Sequence, residues 1–428
     1  MRSISRILRN TPSVLLLLAL AAGAVWLIAQ SRPRPPDTVG VALAPFSAAP
    51  SQQSPLPTPT QPPSAPLAPS PTPEQSTSAS ALYIFGEPRV VFTSQSPIGV
   101  ADWLPDNKTV LLVRYDPSHP GFEWVETLNI NTGELLRFGE RQYTDIKPIW
   151  LEAPGRVAFT GFAGGHQANL WIVGPDTPQP ASPSLENVIL SLAGRDDSVL
   201  AFLRGGTHPV LTDGTGQVRE TVPINLRSYG LEPDNELDWF RMSWHPSKPA
   251  VAIYDTSHFL TLNVREGQVR QFDLGEETSE RWGYGPRWAF NVLWSPTGDS
   301  IALIIGVGQP PFKSTRLFVL DITTGEARHI SLPVTWVRDL AWAPDGQQIL
   351  VGTLNAGQEF DNVYLVDVAS GEAQLLKPLS DKSHGGLPGW NLAWSPAGDK
   401  LILRCAPPSD ASDALCAVSV SIKSGAKP

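Results

Sequence analysis

Between about Ala81 and Ile422 the apolar residues of this chain fall in short runs, each closed by a polar turn carrying Pro or Gly. Runs of that length read as strands, and there is no sustained helical period across them. Ser300-Ile301-Ala302-Leu303-Ile304-Ile305, Gln348-Ile349-Leu350-Val351 and Lys400-Leu401-Ile402-Leu403 are apolar at successive positions. Strands of that kind are buried on both faces. A tryptophan and a turn precede each: Trp294-Ser295-Pro296-Thr297-Gly298, Trp342-Ala343-Pro344-Asp345-Gly346 and Trp394-Ser395-Pro396-Ala397-Gly398, with Trp244-His245-Pro246 upstream. The tryptophans are 50, 48 and 52 residues apart. A period of that size marks stacked supersecondary units. Pro at the second position and Gly at the fourth suit a type I turn, and the Trp is large enough to fill the wedge between neighbouring sheets.

A second phrase comes after each first one. Leu320-Asp321-Ile322-Thr323-Thr324-Gly325-Glu326 recurs at 366–372 and 128–134, with degenerate copies at 262–268 and 211–217. An alternating strand, then a polar pair closed by Gly, predicts a hairpin with Gly in the left-handed conformation. Such Asp-rich loops lack the carboxylate spacing of an EF-hand, so turn chemistry is the better account. Weaker units open at Trp103 and Trp150, and one at about 189–203 has no Trp. Seven units result, each long enough for four strands, so the fold expected is all-β: a seven-bladed propeller of four-stranded antiparallel blades. Six or eight blades fit the spacing less well. The last unit, 394–422, lacks a fourth strand, and the segment 82–92 has no unit of its own. The simplest expectation is that 82–92 completes the last blade.

The W-S-P-x-G turn followed by an aliphatic strand resembles the repeat of TolB-type propellers, relatives of the WD-repeat propellers. The resemblance covers most of residues 81–422 and is clearest after Trp244. It implies a fold and no particular activity, since such propellers include scaffolds, propeller halves of peptidases and lyases.

Ahead of the propeller, no charge interrupts residues 10–31, and Arg2, Arg6 and Arg9 precede them. This predicts a short cytoplasmic tail (1–10), a transmembrane signal-anchor (11–30) and export of the rest of the chain. Cleavage of a signal peptide near Ala22-Gly23-Ala24, giving a secreted protein, is the alternative. Residues 31–80 contain 14 prolines among Ser, Thr, Gln and Ala. They are expected to form a disordered, extended linker, leaving 81–428 as the propeller domain. The expected location is thus the cell membrane, single-pass, with the propeller outside the cytoplasm. In that compartment Cys405 and Cys416, on adjacent strands of the final blade, are expected to form a disulfide.

The whole chain carries a net charge of −9 at pH 7. From residue 37 onward, 27 Lys and Arg face 41 Asp and Glu, a net of −14. With no basic stripe, nucleic acid is a poor partner. Motifs for nucleophilic hydrolysis, zinc, nucleotide phosphates or dinucleotides are absent, and the seven histidines lack ligand spacing. No cofactor is implied. Asp234, Glu236 and Asp238 are dense enough in oxygen to hold Ca²⁺, although a solvated loop explains them more simply. A second set of aromatics, Tyr143, Trp239, Trp288, Trp336 and Trp390, lies four to seven residues before the turn tryptophans. Interleaved with Asp238, Arg241, Arg287, Arg338, Asp339 and His384, they are expected to ring one mouth of the channel as a ligand-binding rim, with Arg287 and Arg338 its foremost charges. Packing under neighbouring loops is their other use. The expected function is non-catalytic binding of a protein, peptide or glycan by a membrane-tethered module. The alternative is a propeller lyase or hydrolase acting on cell-envelope or extracellular polysaccharide.

Overall fold

The computed structural model describes residues 83–422, except 143–146, 154, 163–167, 176–181, 232–240, 255–258, 273–287, 308–313, 335, 355–361, 381–391 and 409–410. The predicted cytoplasmic tail, anchor and linker lie outside the described residues, as do Tyr143, Trp239, Arg287, His384, Trp390, Asp234, Glu236 and Asp238. Among the described residues no helix is long and apolar enough to cross a membrane.

The chain is an all-β propeller of mostly four-stranded antiparallel blades. The Trp103, Trp244, Trp294 and Trp342 units each form one such sheet, with strands in sequence order. In the Trp342 unit Trp336–Trp342 pairs with Gln348–Leu354, that strand with Asn362–Asp367, and that with the short edge strand Ala373–Leu375. The second strand is the most apolar because it has a sheet packed on each face. Ile301, Ala302, Leu303 and Ile304, on Ser300–Val307, are all fully buried.

Both repeated phrases are explained by where their polar atoms go. In the first, Gly298 N–H donates to the Ser295 carbonyl at 2.9 Å, and Ser295 Oγ accepts from Ser300 N–H at 3.1 Å. In the second, Asp321 Oδ1 accepts from the amides of Thr323 and Thr324 at 2.8 Å each, and Gly325 sits at φ +81°. Asp367 does the same for Ser370. These carboxylates are occupied in holding turns.

The turn tryptophans join one blade to the next. The indole N–H of Trp294 donates to the Ser243 carbonyl at 2.9 Å, that of Trp342 to the Leu293 carbonyl at 3.2 Å, and that of Trp103 to the Ala393 carbonyl at 3.0 Å. Each acceptor is the residue just before the preceding unit's own Trp. Burial of the ring and one directed bond therefore set the same inter-blade distance three times. The turn glycines add to the seam: a Cβ at Gly298 would lie 2.4 Å from the His245 ring, and that residue has φ +76°. Only glycine fits there.

The first and last units are also in contact. Asp413 Oδ2, on Asp413–Ile422, accepts the Ile98 amide at 2.8 Å and pairs with Arg404 Nη2 at 2.7 Å. The outer edge of this last sheet is N-terminal chain: Tyr83 stands opposite Ile422, Phe85 opposite Val420, and Val90 opposite Cys416. Cys405 and Cys416, on neighbouring strands of the sheet, are joined by a disulfide with Cα atoms 5.8 Å apart. Tyr83 also donates its hydroxyl to Asp345 Oδ2 at 2.9 Å, in the turn of the Trp342 unit, and burial raises its pKa.

The expected count of separate blades needs correction. The described residues form six sheets: four of four strands, one of five and one of seven. The seven-stranded sheet contains the Trp150 unit and the unit without a Trp. They merge because Leu185–Arg195 runs as one strand through both. Its start pairs with Ala168–Val173, through Leu185 opposite Leu170. Its end pairs with Ser198–Leu203, through Arg195 opposite Ser198. No Pro or Gly interrupts the chain from Leu185 to Ala193, so no polar loop separates the fourth strand of one unit from the first of the next.

Candidate functional site

Antiparallel four-stranded units put two kinds of connection at each end of the ring. At one end most of the connections are five residues long. Residues 104–108, 295–299, 343–347 and 395–399 join first to second strands, and 130–134, 264–268, 322–326 and 368–372 join third to fourth. Whereas 174–184, between the third and fourth strands of the Trp150 unit, lies at the turn end, the long connections 222–240, 273–287 and 376–391 join strand ends at the other side. Long loops on a rigid scaffold are where binding residues accumulate. Trp288 and Trp336 are the first residues of the strands Trp288–Trp294 and Trp336–Trp342, at this same end. They take equivalent positions in adjacent units, opposite Gly306 and Leu354 respectively. Trp336 is half-buried, as is Arg338 two residues further in. Of the predicted rim, Trp288, Trp336, Arg338, Arg241 and Asp339 are described, and the first three stand at one end of neighbouring inner strands.

Further in is a set of polar side chains, of which Arg241 and Asp339 were expected beside the aromatics and Lys147 and Asn291 were not. Counting three residues back from the turn tryptophans gives Lys147, Arg241, Asn291, Asp339 and Asn391, and Val100 before Trp103. A polar residue at the same place before five of the six turn tryptophans was a legible signal. Arg241, Asn291 and Asp339 are buried. Lys147 Nζ lies 3.6 Å from Asp339 Oδ1. The two belong to the Trp150 and Trp342 units, so the ion pair joins non-adjacent blades across the channel. Asp339 also accepts the Leu340 amide at 2.9 Å and the Leu392 amide at 3.1 Å, the latter from the next blade.

Asp102, on Ile98–Trp103, is exposed to the water of the channel although protein surrounds it. Its Oδ1 accepts the Trp103 amide at 2.8 Å. That enclosure raises its pKa, against the opposing pull of the Trp103 amide and of Lys147. Because its folded pKa exceeds the unfolded one, the folded state holds this proton more tightly. Its contribution to stability is therefore present below the unfolded pKa and lost as pH rises through the folded value. Asp102→Asn should raise the melting temperature at neutral pH and leave it unchanged at a pH where Asp102 is protonated. Thermal melts of both proteins across that range check this, and an Asn variant that melts lower at neutral pH would contradict it.

One further cluster stands at the loop-bearing end. Ligand atoms of Asp116, His119 and Glu140 all lie within 4.8 Å of one another. His119 Nδ1 contacts Glu140 Oε1 at 2.6 Å, and Asp116 Oδ1 accepts from the amide and hydroxyl of Ser118 at 2.8 and 2.6 Å. An ion pair and a turn account for these three side chains. Beside it, Trp124 is stacked by two guanidinium groups, Arg114 at 4.6 Å and Arg137 at 3.8 Å, both paired to buried Glu126.

No protein-family model matches the chain. A stretch of 105 residues is 29% identical to an uncharacterized peptidase, YuxL, of Bacillus subtilis (strain 168), covering 24% of this chain and 16% of that protein. The chain thus spans a small part of that relative's length. Solved structures with a similar arrangement include the WD40 repeats of RRP9, at 9% identity and TM-score 0.49 over 79% of this chain and 100% of that one. An oligogalacturonate lyase from Vibrio parahaemolyticus matches at 12% identity and TM-score 0.48, covering 79% and 98%. A TolB protein from Agrobacterium tumefaciens matches at 14% identity and TM-score 0.40, covering 79% and 99%. In the arrangement of its sheets the chain is similar to TolB-type and WD-repeat propellers.

Proposed function

We propose that this chain is a non-catalytic binding module, a seven-bladed ring held outside the cytoplasm by an N-terminal membrane anchor and a proline-rich spacer. Its partner is a protein, peptide or glycan taken at the loop-bearing end. The observation that carries this reading is the equivalent placement of Trp288 and Trp336, first residues of adjacent inner strands, at the strand ends to which the connections 222–240, 273–287 and 376–391 attach. Tryptophans repeated at one end of a rigid ring suit ligands with flat apolar faces, such as sugar rings or aromatic side chains. The blade count is seven if the seven-stranded sheet is divided within Leu185–Arg195, whose two ends serve different units. Export is supported by the uncharged run 10–31 and by the disulfide, a bond that persists in oxidising compartments.

The test uses the full-length chain in detergent as bait for envelope extracts and glycan arrays. Trp288→Ala combined with Trp336→Ala should abolish capture while leaving the melting temperature within error of the parent. Lost stability with intact capture would show instead that these rings are packing. The second reading, an enzyme acting on polysaccharide, is favoured by the channel carboxylates Asp102 and Asp339. Release of reducing or unsaturated ends from such polymers, lost in Asp102→Asn and Asp339→Asn, would replace the first reading with it.

A further inference from the structure

Three charges from three blades meet in the channel, and they are not equally satisfied. Lys147 and Asp339 answer one another at 3.6 Å, and Asp339 has two backbone amides besides. Asp102 has one: Oδ1 takes the Trp103 amide, while Oδ2 takes no hydrogen bond from any described residue. Lys147 is the one side-chain charge among the described residues that acts on Asp102 electrostatically. It is already engaged by Asp339. Asp102 is thus a carboxylate that water reaches, with one oxygen unused by the described residues and a share only in a cation already paired to another acid.

We propose that Asp102 anchors a binding site in the channel for a primary ammonium group, carried either by a lysine side chain of a peptide or by a free alkylamine. A charge enclosed by protein attracts its counter-ion more strongly than the same charge on an open surface. An ammonium can donate to the unused Oδ2 while its apolar stem lies along the channel wall. A divalent cation fits less well. It needs several oxygen ligands, and Asp339, the other channel carboxylate, is held by Lys147. Asp102 also stands apart from the rim: it is one residue from the turn tryptophan, whereas Trp288 and Trp336 begin their strands. This site goes beyond the rim reading and does not depend on it.

Isothermal titration of the full-length chain with pentylamine and with the capped tripeptide Gly-Lys-Gly tests the site. Pentanol and the norleucine tripeptide are the uncharged controls. Saturable binding of at least one amine is expected, weakened about tenfold or more by Asp102→Asn, since a charge-assisted bond is lost. High salt should weaken it as well. Binding of pentylamine alone identifies free amines as the ligand class, and binding of the tripeptide alone identifies peptides. The Asn side chain can still accept the Trp103 amide, so a melting temperature no lower than the parent's separates lost binding from lost folding. Lys147→Met, which removes the competing cation, should tighten binding. If neither amine binds, if Asp102→Asn binds as the parent does, or if the uncharged controls bind equally, the proposal is wrong. The double variant at Trp288 and Trp336 keeps the two readings apart. It should leave pentylamine binding intact even where capture at the rim is lost.

Discussion

Replacing Trp103 by alanine should cost about 3–5 kcal/mol of folding stability, as large-to-small changes at buried aromatics do. Trp103 is 4% exposed and packs with Ile98, Val100, Ile402 and Leu415, residues of the first and last units. It also supplies the hydrogen bond to the Ala393 carbonyl. The substitution therefore opens a cavity and leaves a carbonyl unpaired at the junction where the ring closes. Trp103→Phe isolates the second effect. It keeps most of the apolar area and should lose roughly 1–3 kcal/mol, the cost of stranding a buried polar group. Urea titrations of the three proteins give both numbers. An alanine variant as stable as the parent would mean that this seam does not hold the ring. Trp294 and Trp342 make the equivalent bond between other blades, so the same pair of substitutions there should give costs of similar size.

Asp413→Ala is expected to destabilise by about 3–5 kcal/mol, because removing one member of a buried ion pair strands the other. Asp413 is fully buried and Arg404 is 6% exposed, with Nε to Oδ1 at 2.8 Å and Nη2 to Oδ2 at 2.7 Å. The carboxylate also accepts the amides of Ile98 and Ala414, so alanine would strand two N–H groups together with a guanidinium. Ile98 begins the first strand of the first unit and Asp413 begins the last described strand. The pair thus ties the ends of the ring at a second point. Combining Asp413→Ala with Arg404→Met should recover a substantial part of the loss, since no charge is then left buried. A double-mutant cycle measures that recovery. If the double variant is as unstable as the two losses added, the pair contributes only through its amide bonds.

Local chemistry was readable wherever a residue acts on its own neighbourhood. Ser295, Asp321, Asp367 and the turn glycines bond within five residues of themselves, and each turn stands where the phrase predicts it. The successive apolar residues of Ser300–Val307 and Gln348–Leu354 imply a sheet on either side, and both strands are flanked in that way. The boundary between the Trp150 unit and the next was not readable. Its marker is a missing turn, and a strand continuing through two sheets has the same composition as a strand confined to one. The channel charges were half readable. The position three residues before the Trp is polar in five of six units, yet Asp102 departs from it, and Lys147 and Asp339 are 192 positions apart in non-adjacent units.

The sequence by itself determined the repeat, the strand and turn chemistry within it and the placing of a tryptophan at every seam but one, because these depend on contacts within a few residues or on a spacing repeated along the chain. Only the tertiary structure decided which distant groups meet: Trp103 with Ala393, Ile98 with Asp413, and Lys147 with Asp339 beside Asp102. Those meetings depend on how far each blade is rotated about a common axis. That angle comes from the packing of whole sheets, which no short stretch of sequence encodes.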